Sequence, residues 1–144
     1  MTTTITSAAT LAGELRRALG RAHRRVRAEV GEAGLSHPQF SVLALLTREG
    51  PTTPGRLAEL ELVQPPTMTR TVNCLADLGL VTKTGDPRDG RQVVVALTDA
   101  GSAEVEETRR RRDAWLTGRL ERLTDEERAV LARAATLLEA MAAS

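Results

Sequence analysis

The chain has no tyrosine, one phenylalanine, one tryptophan and one cysteine in 144 residues. Each scarcity excludes something. Modules that grip RNA or single strands stack bases on Phe, Tyr or Trp, and Phe40 and Trp115 alone do not make such a platform. A lone Cys74 forms no intramolecular disulfide and is too few for a thiolate metal site, which fits a reducing compartment. An excess of charge of one sign is missing as well. Lys and Arg number 20 against 19 Asp and Glu, so affinity for a polyanion has to come from local placement of charge. No segment offers about 18 continuous apolar residues, and the start MTTTITSAATLAGELRRALG lacks a basic stretch followed by a long apolar one. A cytoplasmic protein without membrane contact is therefore expected.

Catalytic signatures are also lacking. His23 and His37 fall on different expected helices, and no HExxH, GxSxG, phosphate-loop or dinucleotide pattern occurs. The histidines and scattered glutamates show no zinc-ligand spacing. The expectation is a chain with no enzymatic activity, no cofactor and no metal.

What is present is leucine, alanine and valine, which carry most of the 41% hydrophobic content and suit packed helices better than a β-sandwich. The length suits one folding unit. From Leu11 to about Val30, apolar residues recur at helical spacing (Leu11, Leu15, Ala18, Leu19, Ala22, Val26) with arginines between them. Ser36-His37-Pro38-Gln39 reads as a capping box opening a second helix to about Arg48, and Gly50-Pro51 ends it. Thr53-Pro54 starts a short helix with Leu57 and Leu60 inward. Pro65-Pro66 starts another, in which Met68, Val72 and Leu75 share one face before Gly79. Two short helices so closely joined form a helix-turn-helix pattern. The β-branched runs Leu80–Thr84 and Gln92–Leu97 flank a turn-rich, charged segment and read as a hairpin. Thr98-Asp99 caps a helix to about Leu123, and Thr124 to Glu127 forms a capping box for a last helix to about Met141. The fold class is thus mainly α with a small β-hairpin wing.

If Met68, Val72 and Leu75 face the core, a rotation of about 100° per residue turns Pro66, Thr69, Arg70 and Asn73 outward. Thr67 and Thr69 offer hydroxyls and methyls for phosphates or thymine methyl groups. Arg70 can take guanine or phosphate, and Gln64 adenine or the backbone. The alternative for Gln64 and the threonines is capping and solvation of the helix start. The helix N-terminus attracts phosphate. Arg88 and Arg91 sit where a hairpin tip can reach a narrow minor groove, and Lys83 can add a phosphate contact. The Arg109–Arg112 run reads as a solvated face paired with Glu104, Glu106 and Glu107. Cys74 reads as a small, partly buried packing residue.

The run LSHPQFSVLALLTREGPTTPGRLAELELVQPPTMTRTVNCLADLGLVTKTGDPRDGRQVVVALTDAG, from Leu35 to Gly101, resembles the MarR family. Its most specific parts are PPTMTR, LADLGLV, the DPRDGR wing and LTDAG. The resemblance implies a winged helix-turn-helix lobe over 35–98, with dimerisation helices over 8–34 and 99–144, in one domain spanning the chain. It implies a homodimeric repressor on double-stranded DNA with a pseudo-palindromic operator, Arg91 inserting into the minor groove and Asp89 orienting a wing arginine. It also implies release by a small lipophilic or phenolic effector, for which Arg17, His37, Phe40 and Trp115 are the available holders. Leu11, Leu15, Leu116, Leu120, Val130, Leu137 and Leu138 are the candidate dimer interface, since so small a lobe cannot bury all of these apolar faces. A reactive N-terminal cysteine of the peroxide-sensing kind is absent. The alternative is a winged-helix interaction or architectural module without operator specificity.

Overall fold

Among residues 5–85, 88 and 90–144, which the computed structural model describes, the chain forms six helices and one hairpin. The order is α1 (Ala8–Arg27), α2 (His37–Glu49), α3 (Pro54–Glu61), α4 (Pro65–Asp77), β1 (Val81–Gly85), β2 (Val93–Leu97), α5 (Asp99–Leu120) and α6 (Asp125–Ala142). Hydroxyls start most of these helices. Ser36 Oγ accepts from the Gln39 N–H while Gln39 Oε1 accepts from the Ser36 N–H, and Thr124 with Glu127 repeats the box on α6. Thr53 and Thr98 cap α3 and α5 through their hydroxyls. Each such cap is worth about 1 kcal/mol.

The core gathers Leu35, Phe40, Val42, Leu43, Leu46, Leu57, Met68, Val72, Leu75, Val81, Val95 and Val105 between α2, α3, α4, the hairpin and the first half of α5. Strands β1 and β2 pair antiparallel from Val81↔Leu97 to Gly85↔Val93. Thr52 adds a bridge to Val95, its carbonyl accepting from the Val95 N–H at 2.7 Å. Both strands start one residue later than the sequence suggests, and β1 also ends one later while β2 ends at Leu97 as expected. Leu80 is withdrawn from β1 because its N–H bonds the Leu75 carbonyl and its own carbonyl accepts from the Thr98 N–H at 3.1 Å. It thereby ties the end of α4 to the start of α5.

Helix α1 ends at Arg27, short of the expected Val30. The cause lies on α5: Arg112 donates to the Glu29 carbonyl, Arg111 to the Val30 carbonyl at 2.9 Å, and Thr108 Oγ1 accepts from the Gly31 N–H at 3.1 Å. These bonds clamp the α1–α2 linker onto α5. The arginine run is therefore not simply a solvated face. Arg110 and Arg111 pair with Glu107 as the spacing suggests, whereas Glu104 is buried at 8% exposure with Oε1 lacking a partner among the described residues. Helix α5 also stops three residues early, at Leu120, in a turn that hands the chain to Thr124.

Thr108 is the last buried residue of α5, and among the described residues neither α1 nor α6 buries a side chain. Leu11, Leu116, Val130 and Leu137 are exposed, and Leu15, Leu120 and Leu138 are half-buried.

Candidate nucleic-acid interface

Met68, Val72 and Leu75 anchor α4 in the core, so the opposite face of the helix is turned to solvent. Gln64, Pro66, Thr67, Thr69 and Arg70 are exposed there, and Asn73 is half-buried. Arg70 makes no hydrogen bond or ion pair among the described residues and is available to an external acceptor. Gln64 occupies the N-cap position without a side-chain capping bond, so its amide is available too. Two expectations need correction in detail. Pro65 and Pro66 carry no N–H, and the N–H groups of Thr67 and Met68 already bond the Gln64 carbonyl at 3.0 and 3.2 Å. The start of α4 thus offers a phosphate its dipole but hardly any backbone donor. The Thr69 hydroxyl donates back to the Pro65 carbonyl at 3.0 Å, which leaves a methyl and an acceptor oxygen, but no donor for a phosphate. Pairing of Asn73 with Lys83 is a third feature that sequence spacing does not reveal: the Lys83 ammonium on β1 donates to Asn73 Oδ1.

The hairpin extends the same surface. Lys83, Arg88 and Arg91 are exposed on it. Asp89, expected to orient a wing arginine, lies outside the described residues.

Behind the lobe, where α1 and its linker meet α2 and α5, a crevice is lined by Arg27, Val30, Leu35, His37, Phe40 and Arg112, among others. Its free space of about 10 Å³ corresponds to a single water. Of the expected effector-holding residues it brings together His37 and Phe40. Arg17 lies instead on the arginine face of α1, and Trp115 sits under Arg25 and Arg119, whose guanidinium carbons are 4.5 and 5.2 Å from its ring centroid. The cations at the crevice are Arg27 and Arg112, the latter 4.4 Å over the Phe40 ring, and sequence reading had no signal for them beyond the arginine runs. Partial burial, followed by the charges of Arg27 and His23, holds the His37 pKa below 6.5, while Glu61 opposes them. The His23 and His37 rings meet edge to face at 6.2 Å. An unfolded chain binds this proton more readily than the folded one, so folding stability is greatest above pH 6.5 and declines as pH falls from there. Thermal melts at pH 7.5 and 5.5 are expected to show a larger acid loss for the native sequence than for His37→Asn; equal losses would contradict the assignment.

Cys74 is exposed rather than packed, and its sulfur accepts from Gln39 Nε2 at 3.2 Å. The amide that closes the α2 capping box thereby also reaches α4.

Two short helices, the second exposed and core-anchored, followed at once by a hairpin carrying basic side chains, define a winged helix-turn-helix. The comparisons with known proteins agree. The MarR family profile matches residues 35–93. An HTH-type transcriptional regulator of Mycobacterium bovis is 42% identical over 135 residues, 94% of either chain. The HTH-type transcriptional repressor MdtR of Bacillus subtilis is 32% identical over 94 residues, 65% of this chain and 61% of that one. A MarR family protein from Bacillus stearothermophilus has a similar structure, with a TM-score of 0.77 and 28% identity, covering 94% of this chain and 95% of the other. The chain belongs to the MarR family, whose members are DNA-binding transcriptional regulators and not enzymes.

Proposed function

We propose that this chain is a homodimeric repressor that reads a pseudo-palindromic operator in double-stranded DNA. The observation that carries the reading is Arg70, exposed and without a partner among the described residues on the outward face of α4, beside a wing that presents Lys83, Arg88 and Arg91. Guanidinium and ammonium groups in these places neutralise phosphates and donate to base edges. MdtR, named a repressor, supports that direction of control.

Dimerisation is supported by the uncovered apolar side chains of the outer helices. Val130, Leu137 and Met141 on α6 are 63%, 52% and 64% exposed, and Leu11 and Leu116 add to the same kind of surface. Burying such faces against a second copy removes them from water and sets two α4 helices against successive major grooves. In this reading residues 8–34 and 99–144 form the dimer and 35–98 the DNA-binding lobe.

Control by an effector is part of the proposal. A small lipophilic or phenolic anion suits the cations Arg27 and Arg112 and the ring of Phe40, but a crevice with space for one water admits it only if the linker moves off the lobe. Binding then favours a different lobe spacing, and the operator favours the original one.

Footprinting on the DNA upstream of the protein's own gene tests the reading. Expected are two protected half-sites centred about one helical turn (34–36 Å) apart. Uniform, sequence-independent protection would instead favour an architectural role. Replacement of Arg91 by alanine is expected to weaken operator binding and to lower the slope of log affinity against log salt by about 1. An unchanged affinity would remove Arg91 from the interface.

A further inference from the structure

The bond between Asn73 and Lys83 constrains what α4 can read, and the inference drawn from it rests on the DNA-binding function proposed above. Lysine carries donors only, so the Asn73 atom that faces the ammonium is Oδ1 and the Nδ2 amino group is turned away from it. A free asparagine pairs with adenine bidentately, accepting from N6 with its oxygen and donating to N7 with its nitrogen. Here Lys83 takes one of that oxygen's two lone pairs, and the positive ammonium beside it disfavours a second donor at the other. An adenine N6 amino group arriving at that point would meet another donor.

We propose that Asn73 and Lys83 act as one donor-only unit that selects an acceptor edge, guanine O6 and N7 first, and rejects adenine. Nδ2 and Nζ are both donors, and guanine O6 and N7 are both acceptors. One neighbour, Arg70, reinforces the bias. One turn away on the same helix, it holds donors alone, whereas the Thr69 and Thr71 hydroxyls give their protons to the Pro65 and Thr67 carbonyls, at 3.0 and 3.1 Å, and add no donor. Gln64, whose amide is uncommitted, is the residue on this face left with a full adenine-reading pair. Lys83 thereby becomes a positioning residue for specificity, acting from the wing on the helix.

The test is selection of binding sites from a random duplex library by the native protein, Asn73→Ala, Lys83→Met and Lys83→Arg. The position whose preference vanishes in Asn73→Ala is the one Asn73 reads. There the native protein is expected to favour guanine over adenine by about fivefold or more. Lys83→Met frees the amide and is expected to bring adenine to parity or above, while Lys83→Arg, which keeps donors, retains guanine. Adenine preferred by the native protein, or no position altered by Asn73→Ala, would overturn the proposal. So would a Lys83→Met variant that loses affinity and salt dependence but keeps its base preference, because Lys83 would then be a phosphate contact only. A native protein that enriches no sequence at all would overturn the operator reading itself, a different failure from these.

Discussion

Replacing Arg70 by alanine is expected to weaken operator binding by about 1–3 kcal/mol in each half-site, and so by about 2–6 kcal/mol for a dimer occupying both. The side chain is exposed and no described residue bonds it, so its removal leaves nothing unpaired inside the protein and the melting temperature should hold. The affinity loss reports its role in the groove. A change of base preference at one position would mark a guanine contact. A uniform loss with a shallower salt slope would mark a phosphate contact. Equilibrium titration of the variant on the footprinted site checks this, and an affinity within twofold of the native value would remove Arg70 from the interface.

Gly101→Ala is expected to have the largest effect on stability. A Cβ at this position would stand 2.1 Å from the Leu80 carbonyl oxygen and 3.0 Å from Leu97 Cδ2. The first contact is with backbone, and that carbonyl already accepts from the Thr98 N–H, so neither side has a free rotamer to relieve the clash. Helix α5 would be pushed from the base of the wing at a cost of about 3 kcal/mol, lowering the melting temperature by about 10 °C for a chain of this size. Gly55→Ala is the control. Its Cβ would find only Thr53 Oγ1, at 3.9 Å, and the change should be neutral or stabilise by up to about 0.5 kcal/mol. Urea unfolding of the two variants checks both, and a Gly101→Ala protein as stable as the Gly55→Ala one would contradict the packing described here.

These two residues also illustrate what a sequence displays. Arg70 was legible because its outward position follows from Met68, Val72 and Leu75 at helical spacing, and the capping hydroxyls of Ser36, Thr53, Thr98 and Thr124 announced four helix starts in the same local way. Gly101 was legible only as part of a motif, because the oxygen that forbids a side chain there belongs to Leu80, on the far side of the hairpin. The same distance hid the linker clamp. Arg111 and Arg112 reach carbonyls 81 and 83 positions away, so local periodicity assigned them to water. Helical spacing turns Asn73 away from the core, yet its bond to Lys83 depends on how β1 packs beside α4. Cys74 was expected inside because small sulfur side chains usually are. At its place on α4, Met68, Val72 and Leu75 already fill the core, and Cys74 is left to meet Gln39 at the surface. Of the expected effector-holding residues the crevice contains His37 and Phe40 but not Arg17 or Trp115, because the end of α1 at Arg27 and the clamp from α5 bring Arg27 and Arg112 there.

The effector proposal draws on the same clamp. An occupant of the crevice has to compete with bonds from Thr108, Arg111 and Arg112 to the linker, so a bound ligand and an intact clamp are alternatives. In the proposed dimer such a competition would link a small event behind the lobe to the spacing of the two lobes, through a segment of a few residues.

The most direct test of sequence-specific duplex binding is a fluorescence-anisotropy titration of the protein against the DNA upstream of its own gene, with an unrelated duplex as control, at two salt concentrations. Expected is tight binding to the upstream duplex, a preference of about 10³-fold or more over the control, and weakening of both as salt rises. Weak and equal binding to the two duplexes would contradict it.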